Sequence, residues 1–274
     1  MSEEETEVRP RRRRRKARGD RRGFTHLLPQ LLTTGNLAAG FYSITLSASG
    51  NLDRAALAII FAVIFDILDG RMARLAGATS RFGGEYDSIA DTVSFGVAPA
   101  MLAYSAGALQ ELGWTGWVLA FLYTACAGLR LARFNVAPAR FEGRFEGLPS
   151  PAAAGMVLSS VWFSGFLSES GLPLGVPSSL AGIGVALVGL LMVSPIPYRS
   201  FKEVRLPRSQ STVVLMVLIF AVILSKPSVT LFLFGVCYVS SGPVEGIWRW
   251  RTGRPLVELE DQPLAGDEGQ ETTP

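Results

Sequence analysis

Arg54–Asp91 reads RAALAIIFAVIFDILDGRMARLAGATSRFGGEYDSIAD, an apolar run that ends in carboxylates. Ala55–Phe65 holds no polar residue, yet Asp66, Asp69, Asp87 and Asp91 follow it. An unpaired carboxylate next to hydrocarbon is expensive, so such residues mark a functional site. If 54–74 is helical, Asp66, Asp69, Gly70, Ala73 and Arg74 recur at i, i+3 and i+4 and share one face. Asp87 and Asp91, four apart, share a face of the next helix. The intervening loop AGATSRFG is short enough to predict an antiparallel hairpin, with all four carboxylates converging at one membrane boundary.

Four clustered negative charges repel strongly in a low dielectric, so a cation belongs among them. Oxygen-only ligands favour a hard ion: Mg²⁺, Mn²⁺ or Ca²⁺. Two such ions bridged by shared carboxylates can clamp a phosphoryl group during in-line displacement. Gly70 and Gly83 leave space for a bulky ligand to approach the backbone. Arg74 supplies a planar cation suited to phosphate. The plainer alternative pairs Asp66 and Asp69 with Arg71 and Arg74 and leaves Asp87 and Asp91 as helix-end charges.

The spaced residues Asp66, Asp69, Gly70, Ala73, Arg74, Gly83, Asp87 and Asp91 resemble the complete signature of the CDP-alcohol phosphotransferase family. The resemblance implies that Asp66, Asp69 and Asp87 are ligands of two divalent ions, Mg²⁺ or Mn²⁺, that hold the diphosphate of a CDP-lipid. Asp91 would be both a ligand and the base that deprotonates the acceptor alcohol. Gly70, Arg74 and Ser80 would contact the CDP moiety, with Gly83 leaving room for it. Leu27–Phe41, LLPQLLTTGNLAAGF, resembles the first span of the phosphatidylserine synthase branch, which uses L-serine as acceptor. That makes Asn36 a candidate wall of the nucleotide pocket, against the alternative of a polar group bonded to a neighbouring helix. The stretches Thr92–Ala100, Gly128–Val136, Gly147–Gly155 and Ser194–Lys202 resemble the same branch. The implied reaction is phosphatidyl transfer from CDP-diacylglycerol to L-serine, in a homodimer.

Composition sets the fold class. With 49% apolar residues gathered into long runs, the chain reads as an all-α, polytopic membrane bundle. Runs at 30–48, 54–70, 88–108, 114–134, 151–168, 174–194, 211–225 and 228–247 give about eight transmembrane helices. They divide the chain into a basic tail over 1–27 (disordered or interfacial), a transmembrane catalytic domain over 28–248 and an acidic tail over 249–274. Residues 9–22 are almost solidly basic, which fits contact with anionic membrane lipid rather than nucleic acid. The tail and Leu31–Ala48 imitate a secretory signal, but Gln30, Thr33, Thr34 and Asn36 and the later spans favour a retained helix. Lys and Arg concentrate in alternate connections, so both termini and the aspartates are expected to face the cytoplasm of a cell membrane.

With one histidine, His26, a carboxylate must serve as any general base. Cys126 and Cys237 fit neither a disulfide framework nor a zinc site and read as buried, inert thiols. Arg130 and Arg133, three apart at an inner helix end with Asn135 beside them, could bind a substrate carboxylate or a lipid phosphate, or could simply set topology. Gly96 and Pro99 suggest a loosened or kinked helix after Asp91. Glu245 reads as an end charge, and Trp248 and Trp250 as interfacial anchors. The rival acceptors are glycerol phosphate, inositol phosphate and choline, and an archaeal-type CDP-lipid donor is equally compatible. An ion-coupled transporter would predict internal repeats, and none is visible.

Overall fold

The computed structural model describes residues 16–76, 80–136, 144–171, 177–199, 217–218, 221 and 225–252. It is an all-α membrane bundle. The helices are α1 (Lys16–Ala48), α2 (Leu52–Ala76), α3 (Arg81–Asp91), a π-helical turn (Thr92–Val97), α4 (Ala98–Ser105) and the one-turn α5 (Ala108–Glu111). They continue with α6 (Trp114–Val136), α7 (Ser150–Glu169), α8 (Ser178–Val193) and α9 (Pro227–Thr252). A small antiparallel pair, β1 (Arg144–Glu146) with β2 (Pro197–Arg199), puts Phe145 opposite Tyr198.

Seven of the eight apolar runs fall on described helices, and 211–225 lies largely outside the described residues. Backbone N–H and C=O groups in hydrocarbon must be satisfied within the segment, which leaves helices as the form these runs can take. By length and composition α6, α7 and α9 are each able to cross a membrane, and α8 is a shorter apolar helix. In α1 and α2 polar residues dilute the apolar run: Thr33, Asn36, Ser43 and Ser47 in one, Asp66 to Arg74 in the other. Helix α1 already begins at Lys16, inside the segment read as a basic tail. Residues 1–15 and 253–274, the rest of the two expected tails, lie outside the described residues.

Packing follows side-chain size. In lipid, helices gain little from expelling water and associate through close contact of small residues. One core joins α1, α2, the π turn, α4 and α7 through Ala55, Ala56, Ile59, Ala62, Phe95, Ala98 and Ala154. A second joins α4, α6, α7, α8 and β2 around Tyr123, Val157, Val188, Met192 and Tyr198. The close approaches are real: a Cβ on Gly40 would stand 2.2 Å from Ser94 Oγ.

The expected α2–α3 hairpin is not a packed one. Helix α1 lies along α2 and also touches α3, whereas α2 and α3 scarcely pack on each other. Helix α3 has eleven residues and runs on through the π turn into α4, and it is this continuation that touches α2. Two further readings change. Cys126 is buried, but Cys237 is exposed. Glu245 is no simple end charge: its Oε1 lies 2.9 Å from Arg144 Nη2 and 2.8 Å from Arg249 Nη2, and its Oε2 3.8 Å from Arg199 Nε. It clamps both strands and α9 together.

Candidate active site

The site forms where the second half of α2 and the last turns of α3 meet α1. Spacing on α2 puts Asp66 and Asp69 on one face, one turn apart. Helix α3 is started by Ser80, whose hydroxyl accepts the Gly83 N–H at 3.0 Å in an N-cap. That cap fixes the first turn and with it the direction of Asp87, further along the helix.

Ligand oxygens of Asp66, Asp69 and Asp87 all lie within 4.8 Å of one another. Asp69 is 5% exposed, and its Oδ2, like Asp87 Oδ1, is buried without a hydrogen-bond partner among the described residues. Buried polar atoms are nearly always paired, so these orphaned anionic oxygens call for a ligand. Three oxygen donors and a strong mutual repulsion fit a hard divalent cation, and none of the soft donors that select zinc or copper is present in the cluster.

Asp91 stands beside this trio rather than in it. It is 9% exposed and within electrostatic reach of Asp66, Asp87 and Asp69. Its Oδ1 accepts a hydrogen bond from Asn36 Nδ2 at 2.9 Å. Asn36 itself is fully buried on α1, and its backbone carbonyl accepts from Ser94 Oγ at 2.9 Å. Sequence reasoning offered Asn36 as a nucleotide-pocket wall or as a polar group bonded to a neighbouring helix, and its bond to Asp91 is of the second kind. Thr33, one turn earlier on the same face of α1, lies against Asp69. That residue was missed, although its spacing to Asn36 carries the signal.

The glycine positions are open. A Cβ on Gly70 would meet only the Arg74 guanidinium, at 3.6 Å, and one on Gly83 only Ser80 Oγ, at 3.0 Å. Arg74 is exposed and folds back over Gly70.

The three residues read as acceptor-binding separate. Arg130 is half-buried, donates from Nη1 to Ser150 Oγ at 2.6 Å, keeps a buried Nε without a partner among the described residues and lies within reach of Asp91. Arg133 is exposed and committed elsewhere, to the Glu146 carboxylate and to Val193 O at 3.3 Å. Asn135 donates to Ser88 Oγ at 2.9 Å, on the turn of α3 between Asp87 and Asp91. Ser150 and Glu146, which decide this division, carry no sequence signal of their own. Nearby, burial and the neighbouring Tyr238 push the Tyr198 hydroxyl up to about 12, so it remains a donor.

Comparison with known proteins agrees with this geometry. Residues 26–241 match the family model described as CDP-alcohol phosphatidyltransferase, a span that contains every site residue named above. A Helicobacter pylori protein named CDP-diacylglycerol–serine O-phosphatidyltransferase is 33% identical over 82% of this chain and 91% of its own. A Bacillus subtilis protein of the same name is 38% identical over 64% of this chain and 92% of its own. An archaetidylserine synthase from Methanothermobacter thermautotrophicus is 41% identical over 62% of this chain and 69% of its own. The aspartate cluster, the helical membrane bundle and the family match converge, and the chain belongs to the CDP-alcohol phosphatidyltransferase family.

Proposed function

We propose that this protein transfers the phosphatidyl group of CDP-diacylglycerol to the hydroxyl of L-serine, releasing CMP. The observation that carries the reaction is the meeting of Asp66, Asp69 and Asp87 within 4.8 Å, with Asp91 beside them. The names of the relatives from Helicobacter and Bacillus support serine as acceptor.

Asp66, Asp69 and Asp87, with Asp91 at the edge, would hold two divalent ions, Mg²⁺ or Mn²⁺. When bound, these offset the charge of the diphosphate and of the leaving CMP. The chain's own residues do the rest. Gly70 and Gly83 admit the CDP moiety, Arg74 offers its guanidinium to a phosphate, and Ser80 borders the same mouth. Arg130, with an unused buried N–H and Ser150 holding its other arm, receives the serine carboxylate. Asp91 takes the hydroxyl proton as the serine oxygen bonds to the lipid-side phosphorus and the bond to CMP breaks. Positioning supplies much of the rate, because both reactants are held in line. The acyl chains stay in the bilayer. The site faces the cytoplasm of a cell membrane, with both termini on that side, in a homodimer; the arginine-rich connections support the orientation.

An archaeal-type CDP-lipid donor is the second reading, favoured by the 41% identity to the archaetidylserine synthase. The test is CMP release by purified protein with Mn²⁺ or Mg²⁺, offering serine, inositol phosphate, glycerol phosphate and choline separately and each donor in turn. Serine-dependent release is expected, reduced about 10²–10⁴-fold in Asp91→Asn. Release with another acceptor would overturn the serine assignment. No release with any acceptor, from folded protein that binds Mn²⁺, would overturn transfer itself.

A further inference from the structure

We infer that Asn36 is a positioning residue for Asp91: it holds the Oδ1 oxygen and leaves Oδ2 to take the acceptor's proton. The inference rests on the transfer reaction proposed above and assigns a task within it.

The geometry carries it. Asn36 Nδ2 donates to Asp91 Oδ1 at 2.9 Å, in a place with no exposure at all. A side chain so enclosed does not line an open nucleotide pocket. Its amide oxygen is buried and has no hydrogen-bond partner among the described residues, where Asp91 is the group that orients the amide. A flipped amide would set oxygen against carboxylate, which is repulsive; the observed orientation is therefore selected by Asp91. The backbone beneath is fixed as well. Ser94 Oγ donates to Asn36 O at 2.9 Å from within the π turn that follows Asp91. Gly40, one turn along α1, lets Ser94 come that close. Thus α1 grips the Asp91 segment twice, once at the carboxylate and once three residues later. The orphaned amide oxygen is a desolvation cost with no structural return, as is common where geometry serves a reaction.

The test compares Asn36→Leu, which keeps the volume and removes the donor, with the wild-type protein in detergent. Two readouts are taken: steady-state kcat and KM for CMP release with Mn²⁺, and equilibrium binding of CDP-diacylglycerol with Mn²⁺ in the absence of acceptor. Expected are a kcat lowered about 10–100-fold, the range for loss of a partner that orients a site ligand, and CDP-diacylglycerol binding within about twofold of wild type. Weakened CDP-diacylglycerol binding with kcat retained would overturn the inference and return Asn36 to the nucleotide wall. Unchanged values in both would overturn it too. Asn36→Ala, which cannot overpack, serves if Asn36→Leu does not fold. Turnover by wild type with an acceptor other than serine would overturn only the serine assignment, and the same kcat comparison is then made with that acceptor.

Discussion

Two arginines three residues apart show how much a single partner decides. Arg130 and Arg133 have the same chemistry and lie on the same helix end, but among the described residues only Arg133 forms an ion pair, with the carboxylate of Glu146. Arg130 is steadied by a neutral hydroxyl and keeps an unpaired buried N–H within reach of Asp91. On the proposed function, an anionic substrate group would find its counter-charge at Arg130. Arg130→Lys should raise KM for serine about tenfold or more, because a point charge does not replace a planar fork. Arg133→Ala should leave that KM within about twofold and lower thermal stability instead, by no more than about 1 kcal/mol for so exposed a pair. Steady-state kinetics and thermal unfolding of both variants check this; equal effects on KM would refute the division. The four aspartates were readable in advance because their spacing is itself the signal. The arginines were not, because their side-chain partners come from 13 to 20 residues later in the chain.

At the scale of elements, two helix prolines, Pro99 and Pro243, have the same remedy. Pro99 has no N–H for the carbonyl of Phe95, four residues back, and Tyr123 Oη donates to that oxygen at 3.1 Å. Pro243 likewise abandons Val239 O, and Tyr198 Oη donates to it at 3.0 Å. In a hydrocarbon setting an unpaired carbonyl is costly, so a buried tyrosine from a neighbour stands in for the missing amide. Tyr123→Phe should cost about 1–3 kcal/mol of stability. In a Pro99→Ala background, where the N–H returns, the same change should cost clearly less, a non-additivity that a thermal-unfolding cycle in detergent would detect. Additive losses would mean that Tyr123 acts by packing alone. The loosened helix after Asp91 was legible from Gly96 and Pro99, and the π turn is where it occurs. Its repair was not legible, since nothing local to Tyr123 announces a partner 28 residues away.

For the molecule as a whole, Glu245 is the fastening point of the last helix. Arg144 on β1, Arg199 on β2 and Arg249 on α9 surround it. Beside it Tyr198 is packed so tightly on Gly242 that a Cβ there would lie 2.5 Å from the ring. Glu245→Gln should lower stability by about 1.5–3 kcal/mol, the range for hydrogen bonds to a charged group, with KM for both substrates unchanged. Thermal unfolding and kinetics at low temperature check this, and an unchanged midpoint would refute the clamp. Read along the chain, Glu245 is a lone acid between apolar residues and arginines; only folding reveals that Arg144 and Arg199, from two earlier connections, converge on it. The bundle itself was legible because apolar runs of spanning length have few other fates.

The π turn also has a consequence for how such a chain can change. Each residue added to or removed from an α-helix swings everything beyond it by about 100°. Deleting one residue from Thr92–Val97 would let α3 and α4 run on as a single regular helix, more comfortable for the backbone. It would also rotate Asp87 and Asp91 by that angle relative to Pro99 and its partners, carrying them out of line with Asp66 and Asp69. The extra residue thus acts as a phase shifter: it sets one half of the helix to the carboxylates and the other to the core, which no uninterrupted helix of this sequence could do at once.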